Sequence, residues 1–335
     1  MNMQSQKLNV GVIGVGHLGS LHAQMLKGIE DVRLTGVHDV DPEKARRVAA
    51  ECRTTVSNNL DELLSTADAV TIATTTKNHF AVAMRALELG KDVFIEKPIT
   101  ETPEEAERLC SLAERKGALI QVGHIERFNP AILALEKFQL NPLFVESHRL
   151  AQFNPRGTDV AVVLDLMIHD IDLILSFVRA PVREVDASGI AVVSDSLDIA
   201  NARLQFENGC VANVTASRIS QKKMRKMRLF QPNEYISIDF SDGVAEVFRL
   251  LDAHAPRERG MRVVAEIGTA DRRRRVVYER PRVRNVNALR YELELFARAI
   301  RQRTRPIVNG EDGKRALEVA NAIMQKIGEQ KVPAT

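Results

Sequence analysis

At 335 residues the chain is long enough for two domains with separate cores. Its 44% hydrophobic and 27% charged residues suit an ordinary globular protein, and a net charge of +3 is too small to argue for nucleic acid. The three cysteines, Cys52, Cys110 and Cys210, are odd in number and lack metal-ligand spacing, which excludes a disulfide framework or zinc motif and points to a reducing, cytoplasmic setting.

The polar start, Met1 to Lys7, lacks the apolar segment of a signal peptide, and no later apolar run reaches membrane length. Short apolar runs then alternate with amphipathic stretches up to about residue 125. Strands are predicted at Asn9–Ile13, Arg33–His38, Ala69–Ala73, Asp92–Ile95 and Leu119–Val122, with helices at Leu18–Lys27, Pro42–Cys52, Asn78–Leu89 and Pro103–Lys116. Pro42 and Pro103 stand at helix starts, Gly90 and Gly117 just past helix ends. Such alternation is the pattern of a doubly wound parallel sheet, so the fold class is α/β with a first domain over 1–125.

The remainder, 126–335, reads as an α+β domain. A helix near Pro130–Phe138 and a strand near Phe144–Leu150 lead to an apolar helix over 160–179. Several strands follow between Val182 and Tyr278, punctuated by turns such as Glu207-Asn208-Gly209 and Ser241-Asp242-Gly243, which implies a mainly antiparallel sheet. Helices near Ala288–Arg303 and Gly313–Ile327 close it. Basic clusters at Lys222-Lys223, Arg225-Lys226 and Arg272 to Arg275 have no interleaved aromatics and read as strand ends or a phosphate contact.

Three stretches carry chemistry. Gly14, Gly16 and Gly19 form G-x-G-x-x-G between the first strand and first helix, with His17 and Leu18 inside the motif. The first glycine permits a tight turn, the second admits a pyrophosphate to the backbone, and the third lets helix and strand pack closely. Asp39 ends the second strand, where a carboxylate accepts both ribose hydroxyls of NAD and repels the extra phosphate of NADP. S-adenosylmethionine enzymes use similar loops, so this motif alone leaves both cofactors open. Glu96-Lys97-Pro98 follows the strand at 92–95, at the carboxyl edge where ligands bind. A Glu-Lys pair is by default a surface ion pair, but its place and the adjacent proline favour a site. Asp165, His169 and Asp172 lie four and seven residues apart in the apolar helix, so at 100° per residue they share a face. Without partners they would be costly to bury, and a carboxylate one turn from an imidazole tunes it for proton transfer.

Together with Thr74-Thr75-Thr76-Lys77-Asn78-His79, these residues resemble the glucose–fructose oxidoreductase / inositol dehydrogenase / rhizopine catabolism family over nearly the whole chain. The resemblance implies an N-terminal Rossmann domain and a C-terminal domain whose open-faced sheet makes homodimers or homotetramers. It implies NAD held with Thr74, Thr75, Asn78, His79 and Glu96 against it, no metal, and Lys97, Asp165 and His169 as catalytic residues on a sugar hydroxyl. Gly123 to Pro130 and His148 to Asp159 further resemble the branch that oxidises UDP-N-acetylglucosamine at C3, on the way to a diamino sugar of lipid A. Arg127, Asn129, Arg149 and Arg156 would then join Asp165 and His169 in binding substrate, since arginine forks suit a diphosphate. The same scaffold also suits an inositol or free-sugar dehydrogenase, or an inactive NAD-binding sensor.

Overall fold

The computed structural model describes residues 7–154, 160–255, 261–269 and 273–329. The chain forms two compact units. One gathers the chain up to Phe128 together with Val286–Glu318; the other holds Asn129–Asn285 and the chain from Val319 onward.

The first unit is a five-stranded parallel sheet in the order β2-β1-β3-β4-β5, built from β1 (Leu8–Ile13), β2 (Val32–His38), β3 (Ala69–Ile72), β4 (Asp92–Glu96) and β5 (Ile120–Gly123). Strands β3, β4 and β5 are buried along their whole length, as a sheet covered on both faces requires. Helices α1 (His17–Lys27), α2 (Pro42–Cys52), α4 (Thr76–Glu88) and α5 (Pro103–Lys116) fall within two residues of the predicted spans. Between α2 and β3 lies a further helix, α3 (Leu60–Thr66), absent from the sequence reading. Its seven residues are too few for a periodic signal, although Asn59 caps it and Leu63 and Leu64 are buried.

After a 3₁₀ turn at Ile125–Phe128, the helix expected over 130–138 is only α6 (Pro130–Leu133). Beyond it the amides of Leu135 and Phe138 bond to carbonyls three residues back, so the coil tightens and ends. The second unit is a nine-stranded sheet of β6 (Phe144–Leu150), β7 (Val182–Ile190), β8 (Ile199–Phe206), β9 (Val211–Ser217), β10 (Met224–Gln231), β11 (Glu234–Asp239), β12 (Val244–Asp252), β13 (Arg262–Ile267) and β14 (Arg274–Glu279). All pairs are antiparallel except β6 with β9. One face is buried by α7 (Ile168–Val178), which packs on β6 and β9 through an almost wholly buried surface. The helix expected from 160 does not run straight into it: Val163–Met167 is a π turn, wider than an α-helix.

The last two helices are α8 (Ala288–Gln302) and α9 (Gly310–Glu329). The segment carrying α8 was expected with the second domain, yet it belongs to the first unit. Leu293, Phe296, Ala297 and Ile300 join Val10, Leu26 and Phe94 in one core. Arg290, Arg301 and Arg303 fasten the helix to the carbonyls of Gly28 and Asp31 and to Asp92. Amphipathicity showed that α8 is a helix; it could not show which sheet its apolar stripe covers. Among the described residues, no helix is long and apolar enough to cross a membrane.

Candidate active site

In the first unit the strand order reverses beside β1, and a cavity of about 470 Å³ opens at the carboxyl ends of β1 and β3. Its walls include Gly14, Gly16, Asp39, Thr74, Thr75 and Asn78, all predicted cofactor residues. His17 and Leu18 are exposed on the first turn of α1.

The three glycines are needed for different reasons. Gly14 has φ +80°, and a Cβ there would lie 2.8 Å from the Ala73 carbonyl oxygen. A Cβ on Gly19 would fall within 1.8 Å of the Gly14 carbonyl oxygen. These two serve the packing of the loop. A Cβ on Gly16 would meet no atom within 4 Å, so the protein itself does not require that glycine. The open space is what a pyrophosphate lying on the backbone would occupy. The helix ends agree. Side chains of Asp41, Asn59, Thr102 and Asn287 cap α2, α3, α5 and α8, whereas α1 and α4 begin with no side-chain cap. Their first amides are thus left for an anion.

Asp39 is held in place by backbone. Its Oδ2 accepts from the Val15 amide at 2.7 Å and its Oδ1 from the Asp41 amide at 2.8 Å. This braces the glycine loop against the end of β2 and sets a carboxylate in the cavity wall, where a ribose diol would bind. The residues present fit NAD. Sequence reasoning missed Lys44, Leu60 and Val82 in the same walls. Lys44, ion-paired with Asp41 at 3.2 Å, is one turn beyond Asp39 on α2, and Leu60 belongs to the unpredicted α3.

Glu96, Lys97 and His79 are not in these walls. Glu96 is buried, its Oε1 3.0 Å from Nε2 of His22 and its Oε2 accepting the Lys97 amide at 3.3 Å. Burial pushes the Glu96 carboxyl up, but the hydrogen bond from His22, with the charges of that ring and of Lys97, outweighs it and holds the group below its ordinary value. His79 is also buried, with Nδ1 2.9 Å from the Pro98 carbonyl oxygen and Nε2 3.2 Å from that of Thr74. Burial lowers its pKa, against the pull of both carbonyls and of the Glu96 charge. Lys97 is half-buried. His22 was not singled out in the sequence; the signal available was a histidine one turn beyond Gly19, on the side of α1 facing the sheet.

In the second unit, Asp165 lies in the π turn and His169 at the start of α7, both partly exposed. Asp172, expected to share their face, is buried, as is its neighbour Asp170. Arg149 does not stand free for a substrate. It is 3% exposed, and its Nε and Nη2 reach Asp170 at 2.7 and 3.1 Å, a bidentate pair linking β6 to α7. Asn129 also has structural duties, capping α6 through the Ala131 amide and donating to the Phe240 carbonyl at 3.2 Å. Arg127 is half-buried in the 3₁₀ turn of the first unit, and Arg156 lies outside the described residues. Of the basic clusters, Lys226 pairs with Asp239 at 3.1 Å and Arg275 donates to the carbonyls of Asp252 and Ala255.

Known proteins agree with these features. Residues 8–124 match the model of the GFO/IDH/MocA oxidoreductase family, NAD-binding Rossmann fold, and 144–246 match the GFO/IDH/MocA C-terminal domain. A UDP-N-acetylglucosamine 3-dehydrogenase of Acidithiobacillus ferrooxidans is 38% identical over 93% of this chain and 95% of its own. A solved structure with that name and source superposes with a TM-score of 0.87 at 37% identity, covering 96% of this chain and 98% of the other. A myo-inositol 2-dehydrogenase of Thermotoga maritima is 25% identical over 97% of both chains. The chain therefore belongs to the GFO/IDH/MocA family of oxidoreductases and is an NAD-dependent enzyme of that family.

Proposed function

We propose that this enzyme oxidises C3 of UDP-N-acetylglucosamine to the 3-keto sugar, which an aminotransferase then converts towards a diamino sugar of lipid A in the cytoplasm. The likeness to a UDP-N-acetylglucosamine 3-dehydrogenase over 93% of the chain carries this reading. His169 takes the proton of the sugar hydroxyl as the C3–H bond breaks and the C–O bond becomes a carbonyl. Proton removal accompanies loss of the C–H electron pair, because the product would otherwise be a protonated ketone. Asp165 orients the imidazole, and the Lys97 ammonium stabilises the developing alkoxide. When bound, NAD supplies the hydride acceptor. Gly16 leaves room for its pyrophosphate, and Asp39 holds its ribose hydroxyls. With Arg149 engaged by Asp170, the substrate's diphosphate falls to Arg127 and Arg156.

The subunits associate through the sheet face opposite α7. Phe144, Phe230, Tyr235, Phe248 and Tyr278 stack across five neighbouring strands with ring centroids 5.1–5.9 Å apart. Beside them run Glu146 and Arg228, paired at 3.4 Å, and Glu246, which accepts from the Tyr278 hydroxyl at 2.9 Å. An aromatic row flanked by both charge signs suits a second copy of itself. Sedimentation of Phe230→Asp tests this, with a shift to monomer expected.

The activity test is NADH formation with a panel of UDP-sugars and free polyols, an aminotransferase drawing off the ketone. Turnover of UDP-N-acetylglucosamine is the expected result. Turnover of myo-inositol but of no UDP-sugar would overturn the reading.

A further inference from the structure

Lys97 stands in a short segment that two buried histidines hold from either side. On one side, His22 of α1 bonds the carboxylate of Glu96, whose other oxygen accepts the Lys97 amide itself. The His22 ring is fully buried and meets Phe94 edge-on, with centroids 5.2 Å apart. On the other side, His79 of α4 sits between the carbonyls of Pro98 and Thr74. The two helices that supply these histidines are α1 and α4, whose uncapped first turns face the cofactor cavity. Each histidine thus links the lysine segment to one of the loops that would hold the dinucleotide: Gly14–Gly19 through α1, and Thr74–Thr75 through α4.

We propose that His22 and His79 are positioning residues that couple occupancy of the dinucleotide site to the placement of Lys97. Neither ring lines the cavity, so they act through Glu96 and Pro98 and not on the reactants. Hydrogen bonds in so dry a setting are strong and directional, which makes the segment stiff. A displacement of about 1 Å at a reacting group can lower a rate about 100-fold. His79 keeps a ring whose affinity for a proton is reduced by burial, and a ring with one proton can donate to only one of its two carbonyls. The shorter contact, Nδ1 to Pro98, takes that bond and fixes the lysine segment; the longer one spaces it from Thr74. For His22 the donor to Glu96 is Nε2. The inference rests on the reading of Lys97 as a residue acting at the nicotinamide end of the cofactor.

The test uses the full-length protein and His22→Ala, His22→Gln, His22→Asn, His79→Ala, His79→Asn and His79→Gln, with Lys97→Ala as reference. The first readout is protection of Lys97 from acetic anhydride by saturating NAD, scored by peptide mass spectrometry. NADH affinity is followed by fluorescence, and kcat and KM are measured with UDP-N-acetylglucosamine. Both alanine variants should bind NADH within about threefold of the parent yet lose most of the protection, and kcat should fall about 10–100-fold with little change in KM. His22→Gln places an amide nitrogen near Nε2 and His79→Asn near Nδ1, so these two should recover protection and turnover, while His22→Asn and His79→Gln should not. If the alanine variants do not fold, the contrast between the two amides at each position decides. Full protection and unchanged kcat in the alanine variants, or equal recovery by both amides, would overturn the proposal. If NAD fails to protect Lys97 in the unsubstituted protein, or Lys97→Ala keeps its turnover, the reading of Lys97 fails first and takes this inference with it.

Discussion

The two units use the same kinds of polar side chain differently. In the first, Asp39, Glu96 and His79 are each tied to backbone amides or carbonyls around the cofactor cavity, so their charges and rings stand at fixed places. In the second, the buried Arg149–Asp170 pair locks β6 to α7, while Asp165 and His169 stay partly exposed where the helix widens. Residue type therefore says little about role. Burial and partner separate a strut from a group that can exchange protons with a ligand.

The sharpest way to break this contrast is to remove one member of each class. His169→Ala should lower kcat about 10²–10⁴-fold with NADH affinity and melting temperature unchanged, as steady-state kinetics and calorimetry would show. Arg149→Ala should do the reverse. Leaving Asp170 buried and uncompensated should destabilise the protein by about 3–5 kcal/mol in urea titrations. Full stability in that variant would mean that the pair is not a strut. The glycine loop offers a finer contrast. Gly16→Ala should keep the fold and weaken NAD binding about tenfold, a loss of about 1.4 kcal/mol measured by titration; Gly19→Ala, whose Cβ would collide with the Gly14 carbonyl, should fail to give folded protein.

The smallest effect concerns pH. The Glu96 pKa is depressed on folding, so its ionised form contributes stability above its ordinary 4.5 and that contribution disappears as pH falls through the lower folded value. Glu96→Gln should flatten the loss of stability as pH falls below about 4.5 without altering the neutral-to-alkaline side. An unchanged acid limb would count against the His22–Glu96 bond.

Much of this was legible in the chain. The five parallel strands, the Pro-initiated helices and the glycine loop follow from local periodicity and turn chemistry, and Asp39 follows from its place after β2. The rest depended on contacts distant in sequence. Arg149 and Asp170 are 21 residues apart, and only the packing of α7 on β6 makes them partners. The π turn at Val163–Met167 adds no residue type that α-helices avoid, so the apolar run from 160 gave no sign of it. His22 and Glu96 are 74 residues apart and meet because α1, packed over β1, β2 and β3, brings the His22 ring to the end of β4. The short α3 lacked the length to show a period.

The return of α8 to the first unit has a consequence for biogenesis. The Rossmann sheet lacks part of its hydrophobic covering until Leu293, Phe296 and Ile300 arrive, more than 160 residues after β5 has been made. A growing polypeptide released from the ribosome only as far as Phe128 would hold a nucleotide-binding half with one flank bare. The dinucleotide site should therefore mature late, after the intervening sheet has emerged, and a fragment ending before α8 would make a poor stand-alone NAD-binding module.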